Sequence, residues 1–337
     1  MNSEQPGVAT PPSPPTRVGF LLLPQLAMLP FTAAIDPLRI ANRLSGRTLY
    51  QWRLYATGRE PVLASTGIGL LPDAELGESD WPQRLFVVGG LEVWRHDDAY
   101  LLRWLRRQAA RGVELGGICT GSALLAAAGL LDGYRCTIHW ENLAAFAERY
   151  PALRITDHVY EIDRDRYTCS GGTAALDLML QLIARDHDTD LALAVAEQYL
   201  HDRLRTPGEH QRMAGQLALL RQSPRLAAAV NLMAIHIETP LSTSELAARS
   251  GLSLRQLERV FRQHQRCTPQ QYYLRLRLRR ARQLLTQTEC PVMQVALATG
   301  FASHSHFSKC YRELFGRTPQ QERRAPFLLA DKDAGTR

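Results

Sequence analysis

Two stretches in the last third of the chain repeat one pattern about fifty residues apart, so this part of the chain is expected to build one small unit twice. In LSTSELAARSGLSLRQLERVFRQH, Ser242 stands three residues before Glu245, a capping-box helix start. Gly251 then marks a tight turn, and Ser253 with Gln256 marks a second start. CPVMQVALATGFASHSHFSKCYRELFG places Pro291 near a helix start, Val295-Ala296 in the role of Leu246-Ala247, and Gly300 in the role of Gly251. After a one-residue insertion, Ser303, Phe307 and Tyr311 match Ser253, Leu257 and Phe261. Each copy reads as helix, tight turn, helix. In the first copy, Leu254, Leu257 and Phe261 are expected to bury one face and to leave Arg255, Gln256, Glu258, Arg259 and Arg262 outside. Between the copies, QYYLRLRLRRARQLLTQ reads as an Arg-rich amphipathic helix that fixes their separation, with the Arg275 to Arg282 cluster on a solvated or phosphate-facing surface.

Charge says what such a pair is for. Through Asp202 the chain carries 18 basic and 24 acidic residues, and after it 22 and 9, so the two parts are −6 and +13. Arg is used freely throughout, with lysine only at 309 and 332, but that habit does not explain why acids are sparse after Asp202. A basic module on an acidic remainder is suited to a polyanion, nucleic acid first. Two helix-turn-helix units on one connecting helix suit successive major-groove turns about 34 Å apart.

The first two hundred residues follow another rule. Val18 to Leu23, Trp52 to Ala56, Leu85 to Val88 and Val113 to Ile118 read as strands, with helical periodicity at Ala99 to Ala110 and Ser122 to Ala128. That alternation predicts an α/β unit with a parallel sheet. Val18 to Ile35 carries no charge over 18 residues, but Pro24 and Pro30 break it into strand, turn and helix start, so no membrane span is expected. The first sixteen residues read as a Pro/Ser/Thr tail without a signal peptide. Six scattered cysteines with no CxxC pair indicate neither a disulfide scaffold nor a zinc site, and a cytoplasmic location fits. His304 and His306, two apart on a helix, diverge, so no metal is expected there.

LFVVGG and VELGGICTG each empty a strand into glycines, which puts Gly89 and Gly90 at the carboxyl edge of the sheet, where open α/β sheets bind ligands. Gly117-Ile118-Cys119-Thr120-Gly121 has the shape of a nucleophile elbow, and a following helix start is expected to lower the thiol pKa and offer N–H donors. His139 follows 20 residues on, beside Trp140. Cys119 and His139 are thus a candidate nucleophile and base. The alternative is a pocket lined by Cys119, Thr120, His139, Trp140, Gly89, Gly90 and Phe31, whose aromatic faces suit a cationic amine and whose helix start suits a carboxylate.

GICTGSALLAAAGLLDG, RCTIHW and YTCSGGTAALDLMLQLIA resemble the class I glutamine-amidotransferase-like domain of the PfpI/ThiJ superfamily. In hydrolytic and redox members of that superfamily, an acid from the loop after the first strand approaches the cysteine. Here that loop, Pro24 to Leu29, has no carboxylate, so the cysteine is expected to be catalytically idle. The stretch from Ala227 to about Arg324, with its terminal GRTPQQER, resembles the AraC/XylS DNA-binding domain.

The resemblance implies an α/β flavodoxin-like, amidotransferase-like sensor domain followed by an all-α double helix-turn-helix domain. The domain reading is a tail over 1–16, a sensor over 17–202, a linker over 203–223, a reader over 224–326 with units near 242–264 and 291–315, and a tail over 327–337. Carried over position by position, the resemblance puts Arg255, Gln256, Glu258, Arg259, His304, Ser305, Ser308 and Lys309 at DNA, with Glu258 suited to cytosine N4. The fused form implies a ligand-responsive regulator, an activator of genes for catabolism or uptake of a nitrogenous metabolite such as an amino acid, a betaine or carnitine. Its expected partners are double-stranded promoter DNA, RNA polymerase, that small effector and a second copy through the N-terminal domain; no cofactor is expected. The competing expectation is an active cysteine hydrolase or deglycase fused to a DNA-binding domain.

Overall fold

The computed structural model describes residues 14–77, 82–211, 223–288 and 290–324. Residues 1–13 of the expected first tail, 212–222 of the expected linker and all of the expected last tail lie outside the described residues. The chain divides into two compact units, Met1–Ile138 with Val159–Gly208, and His139–His158 with Glu209–Arg337.

In the first unit a seven-stranded sheet is built from β1 (Thr16–Leu22), β2 (Tyr50–Ala56), β3 (Ala74–Glu75), β4 (Arg84–Val88), β5 (Glu114–Ile118), β6 (Tyr160–Asp163) and β7 (Arg166–Cys169). The order across it is β6-β7-β5-β4-β1-β2-β3, parallel except for the β6–β7 hairpin. Helices α1 (Met28–Ser45), α2 (Ala99–Ala110), α3 (Ser122–Ala127), α4 (Ala174–Asp186) and α5 (Thr189–Gln198) accompany it. A parallel sheet with both faces covered wants continuous apolar strands, and β1 is buried from Val18 to Leu22 and β4 along its whole length. Phe20 stacks on Phe86 at 5.8 Å in the middle of the core.

The uncharged stretch divides at its prolines. Leu22 ends β1, and α1 starts at Met28 with Pro30 in its first turn, where a missing N–H costs nothing. No helix among the described residues is long and apolar enough to cross a membrane. Arg84 is the one charge at the start of β4 and is buried; it pairs with both oxygens of Asp186 and with Glu114 at 2.8–3.1 Å.

The second unit contains the helices α6 (Pro224–Ile235), α7 (Thr243–Arg249), α8 (Leu254–Gln265), α9 (Pro269–Gln287), α10 (Val292–Ala298), α11 (His304–Phe315) and α12 (Pro319–Arg324). They form two small cores. Leu226, Ala229, Met233, Leu246, Leu257, Phe261 and Tyr273 share one, and Leu278, Ala281, Leu285, Val295, Phe307 and Tyr311 share the other. Helix α9 serves both: Tyr273 near its start packs in the first core, and its residues from Leu278 onward pack in the second. A continuous helix of 19 residues, roughly 28 Å long, therefore links the repeated units.

Candidate functional site

The elbow is built as the sequence suggests. Cys119 follows β5 directly and takes the left-handed conformation, φ 60°, which costs a non-glycine residue on the order of 1 kcal/mol and marks a constrained turn. Its N–H donates to the Cys169 carbonyl at 3.1 Å. Gly171 is the residue that admits the thiol: a Cβ there would lie 2.8 Å from Cys119 Cβ and 3.0 Å from its Sγ, and φ is 87°. The Thr120 hydroxyl donates to the Gly90 carbonyl at 2.7 Å. Gly89 and Gly90 stand close to this turn, pressed against backbone; a Cβ on Gly90 would be 1.9 Å from the Gln25 carbonyl oxygen. Cys119 is only 8% exposed, so the turn is nearly closed.

The loop over the elbow contributes Leu26, fully buried and bridged to Gly90, and holds no carboxylate from Pro24 to Leu29. Phe31 is a correction to the expected aromatic wall. It is 4% exposed and stands edge-on to Phe20 at 5.9 Å, so its ring faces are spent in the core. Burial also pushes the neighbouring Cys169 thiol up to about 11, well away from a reactive thiolate. His139 and Trp140 lie in the segment assigned to the second unit and are described there. Their rings are 5.6 Å apart, and the Glu141 N–H donates to His139 Nδ1 at 3.4 Å. Burial lowers the His139 pKa, which favours the neutral ring.

Sequence reasoning passed over Asp177, His201 and Arg205. The Asp177 carboxylate is wholly buried and accepts from the Arg205 N–H at 2.9 Å and from its Nε at 2.8 Å, with His201 Nε2 2.9 Å away. Arg205 also reaches the Thr173 hydroxyl at 2.6 Å, and the Tyr160 hydroxyl donates to the Arg205 carbonyl. The signal was an aspartate inside the apolar run AALDLMLQLIA, because a charge on a buried helix face must have partners. Thr173 follows Gly171-Gly172, so one arginine ties the turn beside Cys119 to the chain at residue 205.

The duplicated unit repeats down to single atoms. The Ser250 hydroxyl donates to the Leu246 carbonyl at 2.6 Å and the Thr299 hydroxyl to the Val295 carbonyl at 2.7 Å. Gly251 and Gly300 both sit at positive φ, 69° and 75°, and the Leu252 and Phe301 N–H groups close the turns on Ala247 and Ala296. Leu257, Phe261, Phe307 and Tyr311 are fully buried. Leu254 departs from expectation: it is 48% exposed, because it opens the first turn of α8 and Leu252 in the preceding turn is packed there instead.

That burial leaves two polar helix faces. On α8, Arg255, Gln256, Glu258 and Arg259 are exposed; on α11, His304, Ser305 and Lys309 are exposed and Ser308 is half-buried. Gln256 has a second task, since its Oε1 accepts the Ser253 N–H at 2.9 Å to close the capping box, and only its amide donors are uncommitted to the cap.

Two of the five arginines of α9 are engaged within the unit. Arg277 donates from Nε to the Thr299 carbonyl at 2.7 Å and from Nη2 to the Gly300 carbonyl at 2.6 Å, and it stacks over the Phe301 ring at 4.2 Å. Arg282 pairs with the buried Glu322 and lies over Phe315. Both brace the second helix-turn-helix unit, which corrects the expected solvated or phosphate-facing role for these two arginines, while Arg275 and Arg279 are exposed as expected. A Thr-Pro-Gln-Gln at 268–271 recurs at 318–321, each with a reciprocal cap between threonine and second glutamine, and this was a further copy signal in the sequence.

A DJ-1/PfpI family model matches residues 17–185, and a helix-turn-helix domain model matches residues 246–325. The chain is 43% identical over 323 residues to the HTH-type transcriptional regulator GbdR of Pseudomonas aeruginosa, covering 96% of this chain and 88% of that one. It is 46% identical over 304 residues to the regulator CdhR of the same organism, covering 90% of each. Among solved structures, an AraC family transcriptional regulator from Pseudomonas putida is 35% identical with a TM-score of 0.50, over 55% of this chain and all of that one.

Proposed function

The chain belongs to the family of HTH-type transcriptional regulators that join a DJ-1/PfpI domain to an AraC-type helix-turn-helix domain, and from that premise we propose that it is an effector-responsive activator governed by a small nitrogenous metabolite. The protein is a DNA-binding regulator, and its partner is promoter DNA. The reading of its contacts rests on one observation: the duplicated core buries Leu257, Phe261, Phe307 and Tyr311 and leaves matching polar faces on α8 and α11. Arg255 and Arg259 read base edges, Glu258 takes a cytosine amine, and Gln256 donates through its amide. His304, Ser305, Ser308 and Lys309 serve the second half-site.

The N-terminal unit, over about 17–202, is the effector sensor and the dimer contact; 203–223 is the linker and 224–326 the reader. Its site comprises Cys119, Thr120, Gly89 and Gly90 around the elbow. It does no chemistry, a reading supported by the lack of any carboxylate in the loop after β1, Pro24 to Leu29. The effector acts by binding the two conformations of the sensor unequally, and the active state engages RNA polymerase in the cytoplasm. The test uses the full-length protein, fluorescent promoter fragments and scrambled competitors, with glycine betaine, carnitine and arginine as separate additions. Preference for a promoter fragment, together with a thermal midpoint raised by one of these compounds and lost in Cys119→Trp, is expected. Equal affinity for scrambled DNA under every condition refutes the contact assignment, and turnover of an amide or carbonyl substrate abolished by Cys119→Ala refutes the idle sensor.

A further inference from the structure

No metal ligands were expected from the spacing of the sequence, yet three donors meet in the second unit. Asp157, His158 and His210 each offer one atom, and these atoms all lie within 4.8 Å of one another. His210 Nδ1 is 2.7 Å from Asp157 Oδ1. His158 and His210 face each other across an antiparallel bridge, with their rings edge-on at 5.4 Å. We propose that Asp157, His158 and His210 form a binding site for a transition-metal dication of the zinc class.

Backbone and donor set both support it. The Gln211 N–H donates to the Asp157 carbonyl at 2.9 Å, and Gln211 Nε2 donates to the His158 carbonyl at 3.0 Å. Both stretches are therefore fixed before an ion arrives, and only side chains need to turn. Donors about 2.0–2.1 Å from a tetrahedral zinc ion stand roughly 3.3 Å apart, so the close pair must open by about 0.6 Å and the widest pair must close by at most about 1.5 Å. Asp157 and His210 are 60% and 54% exposed at their side chains and are free to make that adjustment. Two imidazoles and one carboxylate suit zinc or its neighbours in the first transition row, whereas magnesium and calcium want oxygen throughout. Water completes the coordination.

On binding, each imidazole ligates as the neutral ring and carries its proton on the nitrogen turned away from the ion, so the His210–Asp157 hydrogen bond gives way to the two metal bonds. The ion then ties residues 157–158 to residues 210–211, so that side-chain coordination adds to the backbone bridge in holding this junction.

The test is a titration of the EDTA-treated, full-length protein with Zn2+ alone against a chromophoric chelator, repeated for Asp157→Asn, for the double variant His158→Ala/His210→Ala, and for Cys119→Ser. One equivalent bound by the parent protein and by Cys119→Ser is expected, with affinity lowered at least about tenfold in the other two. Co2+ in the parent protein gives visible ligand-field bands of a nitrogen and oxygen site without a thiolate charge-transfer band, a readout that holds even if a variant fails to fold. Equal Zn2+ uptake by the double variant, or a thiolate band with Co2+, overturns the site.

Discussion

Arg277→Ala separates a phosphate contact from a structural brace. The guanidinium gives two charge-assisted hydrogen bonds, to the carbonyls of Thr299 and Gly300, and stacks on Phe301. Hydrogen bonds of this kind are worth about 1.5–3 kcal/mol each, and a partly desolvated cation on an aromatic face about 0.5–2 kcal/mol. Water can recover part of the loss at carbonyls that become reachable on truncation, so the net cost is about 2–4 kcal/mol. For a unit of roughly a hundred residues, that lowers the midpoint of its thermal transition by on the order of 10 °C. A phosphate contact has another signature: losing it flattens the slope of log affinity against log salt by about 0.9. The assay is therefore paired. Differential scanning calorimetry follows the C-terminal transition, and fluorescence anisotropy on a promoter fragment is run at four salt concentrations well below that midpoint. A lowered midpoint with an unchanged salt slope is expected. An unchanged midpoint with a slope flattened by about one would refute the reasoning and return Arg277 to the DNA backbone.

Arg259→Ala should weaken binding to the specific fragment by about 1–3 kcal/mol and leave random DNA nearly untouched, as read by competition anisotropy; equal losses on both would make Arg259 a backbone contact. Gly251→Ala and Gly300→Ala both force an L-residue to positive φ, but a Cβ at Gly251 meets open space, whereas one at Gly300 would lie 2.6 Å from the Ile237 carbonyl oxygen and from Pro240. Urea denaturation should show a loss of about 1–2 kcal/mol at the first and a further 1–3 kcal/mol at the second, and the reverse ranking would contradict the packing around Gly300. Hydrogen bonds from the Ser242 hydroxyl and N–H hold the Glu245 carboxyl below the usual glutamate range, so its capping contribution is full above the unfolded value near ~4.3 and is lost as pH falls through the lower folded value. Protection factors of the amides in the first turn of α7, taken against the intrinsic exchange rate at each pH, should therefore fall with acid in the parent protein and stay level in Glu245→Gln.

What the sequence disclosed follows from which forces are local. The four strands that periodicity placed end within two residues of the expected bounds, because a parallel strand covered on both faces must be apolar throughout, as Val18 to Leu22 is; the short β3 and the β6–β7 hairpin were not read. The copied turn was readable because Gly251 and Gly300 are demanded by positive φ, and the apolar positions around them by a shared core. Long side chains were not readable. Whether Arg277 faces phosphate or the carbonyls of a turn twenty-two residues later depends on tertiary placement, which leaves no local trace. Phe31 was misread for a related reason: an aromatic near a glycine-rich edge has the same spacing whether its face meets a ligand or Phe20. Asp157 and His158 gave no signal because their partner His210 is more than fifty residues away.

The duplication also extends further than the two turns, and its asymmetry is informative. Leu226, Ala229 and Met233 on α6 are buried in the register of Leu278, Ala281 and Leu285 on α9, fifty-two residues later, so each unit has three helices rather than two. In that register Arg225 corresponds to Arg277, yet Arg225 is exposed while Arg277 is half-buried against its turn. The turn it holds is also the one with no space at its glycine: a Cβ on Gly300 would run into Ile237 and Pro240, which lie between α6 and α7, whereas one on Gly251 would meet open space. The second turn is therefore fixed from two sides, by the arginine of the connecting helix and by the first helix-turn-helix unit, while the first turn is held by its own hydrogen bonds and by Leu252 in its core. Because α9 also contributes to both cores, a displacement of α11 relative to α8 must break the Arg277 brace, lift Gly300 from Pro240 or bend the helix. The two polar faces are thus presented as one pair whose spacing is set by packing from both sides.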